Sequence, residues 1–557
     1  MNLNKYEDIT ISNDYIITTA DAPIEPTQSL GAAMFTNLRL NQESIAQIDA
    51  KTGQQDTFGQ LLQRSIRTVL HMRDKGITRD HIITLCAKNN LNVGVPYIAT
   101  QFLGAKMASI DPSFSPQEMN HLLNTVRPKI IFATSESVRA IGEVLKEISL
   151  DAELVVLGKS TKHTEFSEFL KPHADEDKFE PVEIHDLKET ALIYFSSGTT
   201  GLPKGICLNH YGFLGHSLNS KVSKNVDEEW FASVLPRMSF PPTILLYTSQ
   251  YWISAGAMLL SSILEGYCRL ICEDFDGKEI WNLFQRFKPS VLLLTPVQAI
   301  EMLVNKRIDV DVSCIISIII IGSAISKEYV LKLRSTFPQT DIYSGYGQTE
   351  VCGPVVMFKP MDKHHRELSK RSDKIESVGL PMPGTSYKVV DTETGEHLGP
   401  NQRGELLLKS KFTMNGYYKV DSSDTFDKDG WLKTGDIVYY DTDLCFYIVD
   451  RIKEAFKYQG WFIAPTVLEN VLLEHPAVKL AVVIGIPHND GHHPMGLVVL
   501  NDDSEVSENE LEKFVEDRVP ERQRLRAGVR FIKLVPVTVT GKVKRSQLKQ
   551  MVLGGKL

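Results

Sequence analysis

Residues 191–205 read Ala-Leu-Ile-Tyr-Phe-Ser-Ser-Gly-Thr-Thr-Gly-Leu-Pro-Lys-Gly, an apolar run that leads directly into a loop of glycines, hydroxyls and one lysine. The apolar run is typical of a buried strand. The loop offers backbone N–H groups, hydroxyls and a cation, which together suit a polyphosphate. It differs from a Walker A loop, because Lys204 stands between Pro203 and Gly205 rather than before a Ser or Thr at a helix start. A glycine-rich turn would explain the glycines, but not the hydroxyls and the lysine.

Similar apolar runs recur on both sides of this stretch and alternate with helical patterns. The runs are residues 82–86, 130–133, 154–157, 291–294 and 315–321. Short, continuous apolar runs are typical of strands that helices bury on both faces. The alternation therefore predicts an α/β fold in which helices flank the sheets.

The pattern of apolar and turn residues changes at about residue 384 and again at residue 450. Between residues 384 and 449, short β-type runs alternate with turn residues, which predicts a hairpin-rich, β-barrel-like region. The segment beyond residue 450 has a size that suits a separate small domain. We therefore predict a large domain over residues 1–449, a connection over 450–453 and a small α+β domain over 454–557.

Composition excludes several classes of protein. A net charge of −8 over 557 residues argues against the basic surface of a nucleic-acid-binding protein. The seven cysteines are scattered without zinc-type spacing, which predicts reduced, buried thiols. The only long uncharged stretch, residues 238–264, carries two prolines and several polar residues, so it is a poor membrane span. We predict neither a nucleic-acid partner nor a membrane span.

Three more segments combine polar chemistry with turn residues. Residues 344–350, Ser-Gly-Tyr-Gly-Gln-Thr-Glu, lack the third glycine of a dinucleotide fingerprint; they are an ordinary turn or a site for phosphate and Mg²⁺. Residues 430–437, with Asp436, precede Asp450-Arg451, which suits ribose and phosphate or, alternatively, a turn acid and a surface ion pair. Residues 540–545, Thr-Gly-Lys-Val-Lys-Arg, read alone as a solvated basic patch.

The order and spacing of the four segments resemble the adenylate-forming (ANL) superfamily of acyl-CoA synthetases, 4-coumarate:CoA ligases and beetle luciferases. The resemblance runs from about residue 57 to about residue 553 and is strongest to the insect luciferase-like acyl-CoA synthetase branch. The loop with Thr199, Thr200 and Lys204 is the signature of that family. The resemblance implies a ligase that uses ATP, Mg²⁺, coenzyme A and a small-molecule carboxylic acid.

The resemblance also implies which residues bind ATP. The phosphate loop would be Ser196, Ser197, Gly198, Thr199, Thr200 and Lys204. The frame of the adenine and of the acyl pocket would be Gly322, Ser323, Ala324, Gly345, Tyr346 and Gly347. Thr349 and Glu350 would contact phosphate and Mg²⁺, with Glu350 as the metal ligand. Asp436 would bind the ribose, and Arg451 would reach the ribose and phosphate side.

Three lysines have implied roles in the two half-reactions. Lys542 would be the lysine of acyl-AMP formation and Lys457 the lysine of thiol transfer. Lys453 would be the hinge about which a mobile C-terminal domain turns, because Lys542 and Lys457 cannot serve one active site in a single rigid pose. The chemistry is in-line attack of a carboxylate oxygen on the α-phosphorus, for which positioning and charge neutralisation suffice without an enzyme nucleophile.

The acid pocket would include His216, Ser239, Gly322 and Gly347. Ser239 stands where relatives often carry a histidine, and His216 where luciferase-like enzymes often carry an arginine. Luciferin or coumarate specificity therefore does not carry over, and we predict a medium- or long-chain fatty acid. The alternatives are an aryl-acid ligase, a luciferase, or a nucleotide-binding pseudo-enzyme.

The last three residues, Gly555-Lys556-Leu557, are a degenerate form of the peroxisomal Ser-Lys-Leu signal. A tail that ends in Lys-Leu by chance is the other interpretation. We therefore predict a peroxisomal or cytoplasmic protein, with an import receptor as a partner in the first case. The sequence leaves a monomer and a homodimer both open.

Overall fold

Four β-sheets and the helices around them organise the chain. The computed structural model describes residues 8–196, 203–220, 226–459, 461–501, 504–537 and 543–557. Within these ranges the α-helices are α1 Leu30–Leu40, α2 Phe58–Asp74, α3 Gly94–Leu103, α4 Pro116–Val126, α5 Ser135–Glu147, α6 His210–Asn219, α7 Glu228–Val234, α8 Ile253–Glu265, α9 Glu279–Phe287, α10 Pro296–Val304, α11 Lys327–Thr336, α12 Lys363–Lys370, α13 Pro465–Leu473, α14 Glu508–Glu516 and α15 Arg545–Leu553.

The strands follow the same order along the described chain. They are β1 Ile9–Ile11, β2 Ile17–Thr19, β3 Ile45–Asp49, β4 Gln55–Thr57, β5 Ile82–Cys86, β6 Lys106–Ile110, β7 Ile130–Ala133, β8 Glu153–Val156, β9 Thr164–Glu165, β10 Thr190–Phe195, β11 Gly205–Asn209, β12 Thr243–Leu246, β13 Cys268–Ile271, β14 Val291–Leu294, β15 Ser317–Ile320, β16 Asp341–Gln348, β17 Gly353–Met357, β18 Leu380–Pro381, β19 Thr385–Val390, β20 Gly404–Ser410, β21 Gly416–Tyr417, β22 Leu432–Tyr440, β23 Phe446–Arg451, β24 Phe456–Tyr458, β25 Trp461–Ile463, β26 Val478–His488, β27 Gly491–Leu500 and β28 Val529–Phe531.

Two large sheets have parallel centres, as the continuous apolar runs predict. The eight-stranded sheet has the order β21-β11-β10-β6-β5-β7-β8-β9, and the nine-stranded sheet has the order β18-β17-β16-β15-β14-β12-β13-β3-β4. One apolar core packs α1, α2, α3 and α8 against the first sheet, and another packs α9, α10 and α11 against the second. The predicted α/β class with helix-flanked mixed sheets is confirmed.

The parallel centre of the nine-stranded sheet places several predicted site segments at one edge. Strands β12, β14, β15 and β16 all run in the same direction. Gly322 comes two residues after β15, and Gly345–Gly347 lie just before the last residue of β16. In open α/β sheets, ligands bind outside the carboxyl ends of the strands, so this edge is where a site is expected.

The hairpin-rich region predicted over residues 384–449 is a six-stranded sheet of order β1-β2-β19-β20-β22-β23. Its described pairs are antiparallel, and none joins the two edge strands β1 and β23. The sequence analysis missed β1 and β2, which come from the N-terminus. Thr19 fastens β2 in place, because its hydroxyl lies 2.8 Å from the Thr385 carbonyl oxygen. Strands of three residues carry too little periodicity to be predicted.

The fourth sheet lies wholly within residues 456–531 and contains β24 to β28. Helices α13 and α14 bury Leu468, Leu472 and Leu511 against β26 and β27. This region is the α+β segment expected beyond residue 450, while its mobility and the boundaries 1–449, 450–453 and 454–557 stay predictions. No helix among the described residues is long and apolar enough to cross a membrane.

Candidate active site

The base of the hydroxyl-rich loop is closed by two hydrogen bonds. Strands β10 and β11 are antiparallel neighbours, with Phe195 opposite Gly205. The Ser196 N–H donates to the Lys204 carbonyl at 2.9 Å, and the Lys204 N–H donates to the Ser196 hydroxyl at 2.9 Å. This pairing fixes where the Lys204 side chain leaves the sheet. The predicted loop members Ser197, Gly198, Thr199 and Thr200 lie outside the described residues.

The Lys204 side chain lies over an aromatic ring that the sequence analysis did not identify. Strand β21 pairs with β11, so that Tyr417 stands opposite Ile206. The Lys204 ammonium is 5.0 Å from the centre of the Tyr417 ring, within the range of a cation–π interaction. No carboxylate among the described residues forms an ion pair with Lys204. Its charge is therefore available to an anionic ligand.

Glu350 lies on the other side of Tyr417. The Tyr417 hydroxyl donates to a Glu350 carboxylate oxygen at 3.3 Å, and the Glu350 carbonyl accepts the Met414 N–H at 2.8 Å. Burial raises the pKa of Glu350, although hydrogen bonds from its own backbone N–H and from Tyr417 oppose the rise. Burial and the adjacent Glu350 charge raise the pKa of Tyr417 to about 12, so the phenol stays a donor at neutral pH.

Glu350 forms no ion pair with a described residue, although the charge of Arg451 acts on it and opposes the rise in its pKa. A hard divalent cation such as Mg²⁺ binds carboxylate and hydroxyl oxygens, and the Glu350 carboxylate fits it. Thr349 directly precedes Glu350 and begins the short 3-10 turn over residues 349–351. The pair predicted to contact phosphate and metal thus lies at the end of β16, on the carboxyl edge of the nine-stranded sheet.

Asp436 is held by three donors. The Tyr346 hydroxyl lies 2.6 Å and the Gln348 amide 2.7 Å from Asp436 Oδ2, while Arg451 Nε lies 2.9 Å from Oδ1. The Asp436 side chain is only 4% exposed. Antiparallel pairing of β22 with β23 places Asp436 directly opposite Arg451. Burial lowers the pKa of Arg451, but the charges of Asp436 and Glu350, the Tyr346 phenol and the hydrogen bond to Asp436 together outweigh this effect, and the net shift is upward.

These contacts leave Asp436 partly open to a ligand. A carboxylate offers roughly four acceptor positions, and the three donors leave one position on Oδ1 for a ligand hydroxyl. Tyr346 and Gln348 come from the segment 344–350, so the same strand presents the donors to Asp436 and, two residues further, Glu350. Burial and the Asp436 charge raise the pKa of Tyr346 well above its ordinary value, which keeps it a donor.

Gly347 permits an approach of two strands that no other residue would allow. A Cβ atom at position 347 would lie 2.0 Å from the Gly353 carbonyl oxygen and 2.4 Å from Pro354 Cα. Gly353, with φ +146°, in turn leaves room for the ring of His216, whose Nε2 lies 2.6 Å from the Pro354 carbonyl oxygen. Burial lowers the pKa of His216, so its imidazole is neutral at pH 7. The structure thus brings His216 and Gly347 together through Gly353.

Gly322, Ser323 and Ala324 form an exposed turn after β15. Gly322 has φ +95°, a backbone conformation that L side chains rarely adopt. A Cβ atom there would be 3.9 Å from the nearest side-chain atom, which is the methyl of Thr295. This turn lies at the same sheet edge as Gly345–Gly347, and the role of these residues as a frame for adenine and the acyl group stays a prediction.

Ser239 lies at the opposite end of the sheet from the other predicted pocket residues. Its hydroxyl is 3.4 Å from the Thr243 hydroxyl and 3.3 Å from the Ser290 hydroxyl. Thr243 begins β12 and Ser290 precedes β14. These are amino ends of parallel strands, whereas Gly322 follows a carboxyl end. The assignment of Ser239 to the acid pocket is therefore wrong. Ser239 was chosen because it lies just after a Leu-Pro pair, but that pair precedes β12, whereas the site edge is formed by residues that follow β12.

The residues that follow β12, and not Ser239, lie at the edge of the sheet where the site is expected. The Tyr251 hydroxyl donates to the carbonyl of Phe195 at 3.3 Å, directly before the hydroxyl-rich loop. Ser249 donates to the Asp111 carboxylate at 2.7 Å. The sequence analysis missed Tyr251, Gln348 and Tyr417. Gln348 stood within a quoted motif, but Tyr417 and Tyr251 become neighbours of the loop only through strand pairing.

The lysines assigned to the second domain lie apart from this network. Lys457 is on β24, and its ammonium lies 2.9 Å from the Glu393 carboxylate, in the turn between β19 and β20. A cavity of about 970 Å³ separates the small sheet from the six-stranded sheet and is lined by residues that include Arg403, Lys453, Lys457 and His492. Lys542 lies outside the described residues. The structure therefore does not bring Lys457 to Lys204, Glu350 or Asp436.

Known families and proteins match this chain over most of its length. The model of the AMP-binding enzyme family matches residues 35–418, and the model of the AMP-binding enzyme C-terminal domain matches residues 467–542. The chain is 29% identical over 525 residues to luciferin 4-monooxygenase of Photinus pyralis, covering 92% of each chain. It is 28% identical over 538 residues to peroxisomal OPC-8:0-CoA ligase 1 of Arabidopsis thaliana, covering 94% of each chain.

A solved structure agrees with the fold. The luciferase-like enzyme from the nonluminescent mealworm Zophobas morio is 34% identical to this chain, with a TM-score of 0.70. The match covers 78% of this chain and 99% of that one.

Proposed function

This chain belongs to the AMP-binding enzyme family, and on that premise we propose that it is an ATP-dependent acid:CoA ligase acting on a medium- or long-chain fatty acid. The observation that carries the proposal is the arrangement of charge around the end of β16. Asp436, which contacts Tyr346 and Gln348 of β16, pairs with Arg451. Lys204 contacts the ring and Glu350 the hydroxyl of Tyr417, and neither forms an ion pair with a described residue. Nucleotide, metal and polyphosphate each find a matching group there.

In the first half-reaction a carboxylate oxygen of the acid attacks the α-phosphorus of ATP, forming an acyl-AMP and releasing pyrophosphate. Asp436 accepts a ribose hydroxyl at its open position, and Arg451 stays beside the sugar. The Lys204 ammonium neutralises the departing phosphates, a role that suits it because it forms no ion pair with any carboxylate in the described part of the chain. Glu350 with Thr349 would hold Mg²⁺, which supplies further positive charge when bound. Such charge neutralisation accounts for most of the catalysis in phosphoryl transfer.

In the second half-reaction the thiol of coenzyme A attacks the acyl-AMP carbonyl, forming the thioester and releasing AMP. We assign Lys457 to this step and Lys542 to the first one. Lys457 pairs here with Glu393, away from the nucleotide site, so it must leave that partner in order to act. Rotation of residues 454–557 about Lys453 would bring it in, and this movement is part of the proposal.

The surroundings of His216 favour an apolar acid. The imidazole is neutral because burial lowers its pKa, and its ring lies edge-on to Phe412, with 6.2 Å between the ring centres. The space beside the ring measures only about 10 Å³, and its lining carries no ionised group: Pro354, Val355, Met382 and Pro383 line it together with the neutral polar residues Asn219, Ser220 and Thr385. The absence of a charged group from this described lining supports an acid without a second charge.

Pyrophosphate release with ATP and a panel of acids tests the proposal. We expect release with medium- or long-chain fatty acids and a thioester once coenzyme A is added. Release only with aryl acids would replace the substrate class, and light with luciferin would favour the activity named for the Photinus pyralis relative. If the protein binds ATP but releases no pyrophosphate with any acid of the panel, it is a nucleotide-binding pseudo-enzyme, and the proposal is overturned.

The location in the cell, peroxisomal or cytoplasmic, stays a prediction, and so do the import receptor and the choice between monomer and homodimer.

A further inference from the structure

Two imidazoles and a carboxylate meet at the tip of the β26–β27 hairpin, outside the site described above. His488 Nδ1 lies 2.5 Å and His493 Nε2 lies 2.8 Å from the same oxygen, Oδ1 of Asp490. The two imidazole rings stack, with 4.0 Å between their centres and 23° between their planes. These three residues, here called the tip triad, thus present three ligand atoms to one small volume.

The hairpin register explains why the three side chains converge. His488 pairs with Gly491 and Ile486 pairs with His493, so both histidines point to the same face of the two strands. Asp490 stands in the two-residue turn between them. His492 points to the opposite face, where its ring lies 6.2 Å from the ring of Phe456. The adjacent histidines 492 and 493 therefore have different environments.

We propose that the tip triad binds one divalent transition-metal ion, with Zn²⁺ as the best match. Two imidazole nitrogens and one carboxylate oxygen suit zinc and its neighbours in the first transition row, whereas Mg²⁺ and Ca²⁺ prefer oxygen ligands alone. Three protein ligands leave a fourth tetrahedral position for water or for an external ligand.

Only a small adjustment separates the present geometry from a coordinated one. Bonds of about 2.1 Å in a tetrahedral site hold ligand atoms roughly 3.4 Å apart, so each nitrogen must withdraw from the carboxylate by less than 1 Å. The side chains of His488 and Asp490 are 53% and 37% exposed and are free to move by that amount. His493 is only 18% exposed and packs edge-on against Tyr458, which gives the ion one fixed ligand.

The charge of the tip triad also suits a cation. Asp490 contributes the one carboxylate of the set beside the two imidazoles. Among the described residues, this is the group in which at least three metal-type ligand atoms lie within 4.8 Å of one another. The alternative is a hydrogen-bonded cluster that never exchanges its protons for a metal.

The hairpin tip contacts the strand that carries Lys457. The Gln459 N–H donates to the Asp490 carbonyl at 3.2 Å, and Tyr458 of β24 pairs with Gly491. An ion in the tip triad would therefore stiffen the hairpin where β24 joins it. The metal site itself does not depend on the proposed ligase activity, because its evidence comes only from the hairpin.

Calorimetric titration of the full chain, without a histidine tag, with Zn²⁺ tests the proposal. We expect one equivalent to bind, and Co²⁺ in its place to give the visible absorption of a tetrahedral site. His488→Ala and His493→Ala should each weaken Zn²⁺ binding by at least about tenfold. The matched control is His492→Ala, which removes the neighbouring imidazole on the other face and should bind Zn²⁺ as the wild type does.

Circular dichroism of each variant separates lost ligands from lost folding, and Asp490→Asn provides a third variant of nearly unchanged volume. Absence of Zn²⁺ binding by the wild type would overturn the proposal. So would a His488→Ala/His493→Ala double variant that binds as tightly as the wild type. An equal loss in His492→Ala and His493→Ala would place the ion elsewhere, with the same consequence.

Discussion

Asp436 and Glu350 are two acidic residues of the same candidate site with opposite surroundings. Asp436 accepts hydrogen bonds from Tyr346 and Gln348 and pairs with Arg451, so its charge is balanced before any ligand arrives. Glu350 accepts a 3.3 Å hydrogen bond from Tyr417 and one from its own backbone N–H, and it forms no ion pair with a described residue. The fold thus supplies a charge partner for Asp436, whereas a ligand would have to supply one for Glu350.

The difference between Asp436 and Glu350 follows from the part of the ligand that each residue would bind. A ribose is neutral, so a carboxylate that receives it needs fixed partners to stay ionised and oriented. A polyphosphate with its metal brings both signs of charge, so Glu350 and Lys204 can stay unpaired until it binds. Withdrawal of the Glu350 carboxylate from water raises its pKa, so its charged form costs folding free energy until a cation binds. The following variants test this distinction between the two carboxylates in order of expected size.

The largest effect is expected from Glu350→Gln. Loss of one group that stabilises charge in the transition state typically lowers the rate by about 10²–10³-fold, or roughly 3–4 kcal/mol. Stability should change in the opposite direction. Because burial raises the pKa of Glu350, the folded state keeps a proton that the unfolded chain has already lost, so the unfolding free energy falls as pH rises through the folded pKa. The glutamine variant lacks this fall and should unfold at a higher temperature at neutral pH.

Pyrophosphate release and thermal unfolding at several pH values measure both parts of that prediction. Glu469 is the matched control, because burial also raises its pKa but Arg545 and the Val483 N–H hold its carboxylate. Because the net shift of its pKa is also upward, Glu469→Gln should likewise raise the unfolding temperature at neutral pH, while pyrophosphate release persists. A Glu350→Gln protein that is both active and less stable would remove the distinction.

Asp436→Asn should have the next largest effect, and here stability falls. The amide leaves Arg451 without its counter-charge and places an N–H₂ group near the Gln348 donor. Breaking a buried ion pair costs several kcal/mol, but the Arg451 side chain is 40% exposed, so we expect a loss of about 1–3 kcal/mol. Urea unfolding measures it. Unchanged stability would show that the three contacts do not balance the charge as described.

Tyr417→Phe should have a smaller effect, confined to the part of the site that contains Glu350 and Lys204. The variant keeps the ring beneath Lys204 but removes the only side-chain donor described for Glu350, worth about 1 kcal/mol or roughly fivefold in rate. Since that hydrogen bond lowers the pKa of Glu350, its loss should shift the acidic limb of the pH–rate profile to higher pH. A pH profile identical to that of the wild type would separate Tyr417 from Glu350.

Tyr346→Phe is expected to have the smallest effect, although it removes a shorter hydrogen bond of 2.6 Å. Gln348 and Arg451 remain as partners of Asp436, so the loss should be about 0.5–1 kcal/mol in unfolding free energy. The ATP concentration that gives half-maximal pyrophosphate release should change by less than about fivefold. If Tyr346→Phe shifted the pH profile more than Tyr417→Phe, the roles of the two carboxylates would be reversed.

Part of the site could be predicted because its residues belong to motifs whose order resembles that of a known family. Asp436, Arg451, Glu350 and Lys204 were placed in this way. Only Glu350 follows a strand of the nine-stranded sheet, while the other three lie on or beside strands of the two other large sheets. Tyr417 could not be found in this way, because it meets Lys204 only through the pairing of β21 with β11. Such pairing depends on contacts between residues far apart in the sequence, which local patterns do not encode.

The misplacement of Ser239 has a different cause. A Leu-Pro pair is a weak landmark in a chain with 26 prolines, and β12 begins only at Thr243. The prediction therefore took a residue before β12, at the amino end of the strand, for one that follows the strand at its carboxyl end. For β1 and β2 the reason is their length, since three residues show no reliable alternation.

The contact between Gly347 and Gly353 also limits how this protein can diversify. Neutral drift and laboratory selection alike must leave position 347 untouched, because even one added methyl group would collide with the backbone at 2.0 Å. Ser323 and Ala324, on the exposed turn at the same sheet edge, are under no such restriction. A mutant library aimed at new acids should therefore randomise positions 323 and 324 together with His216, while holding 347 constant.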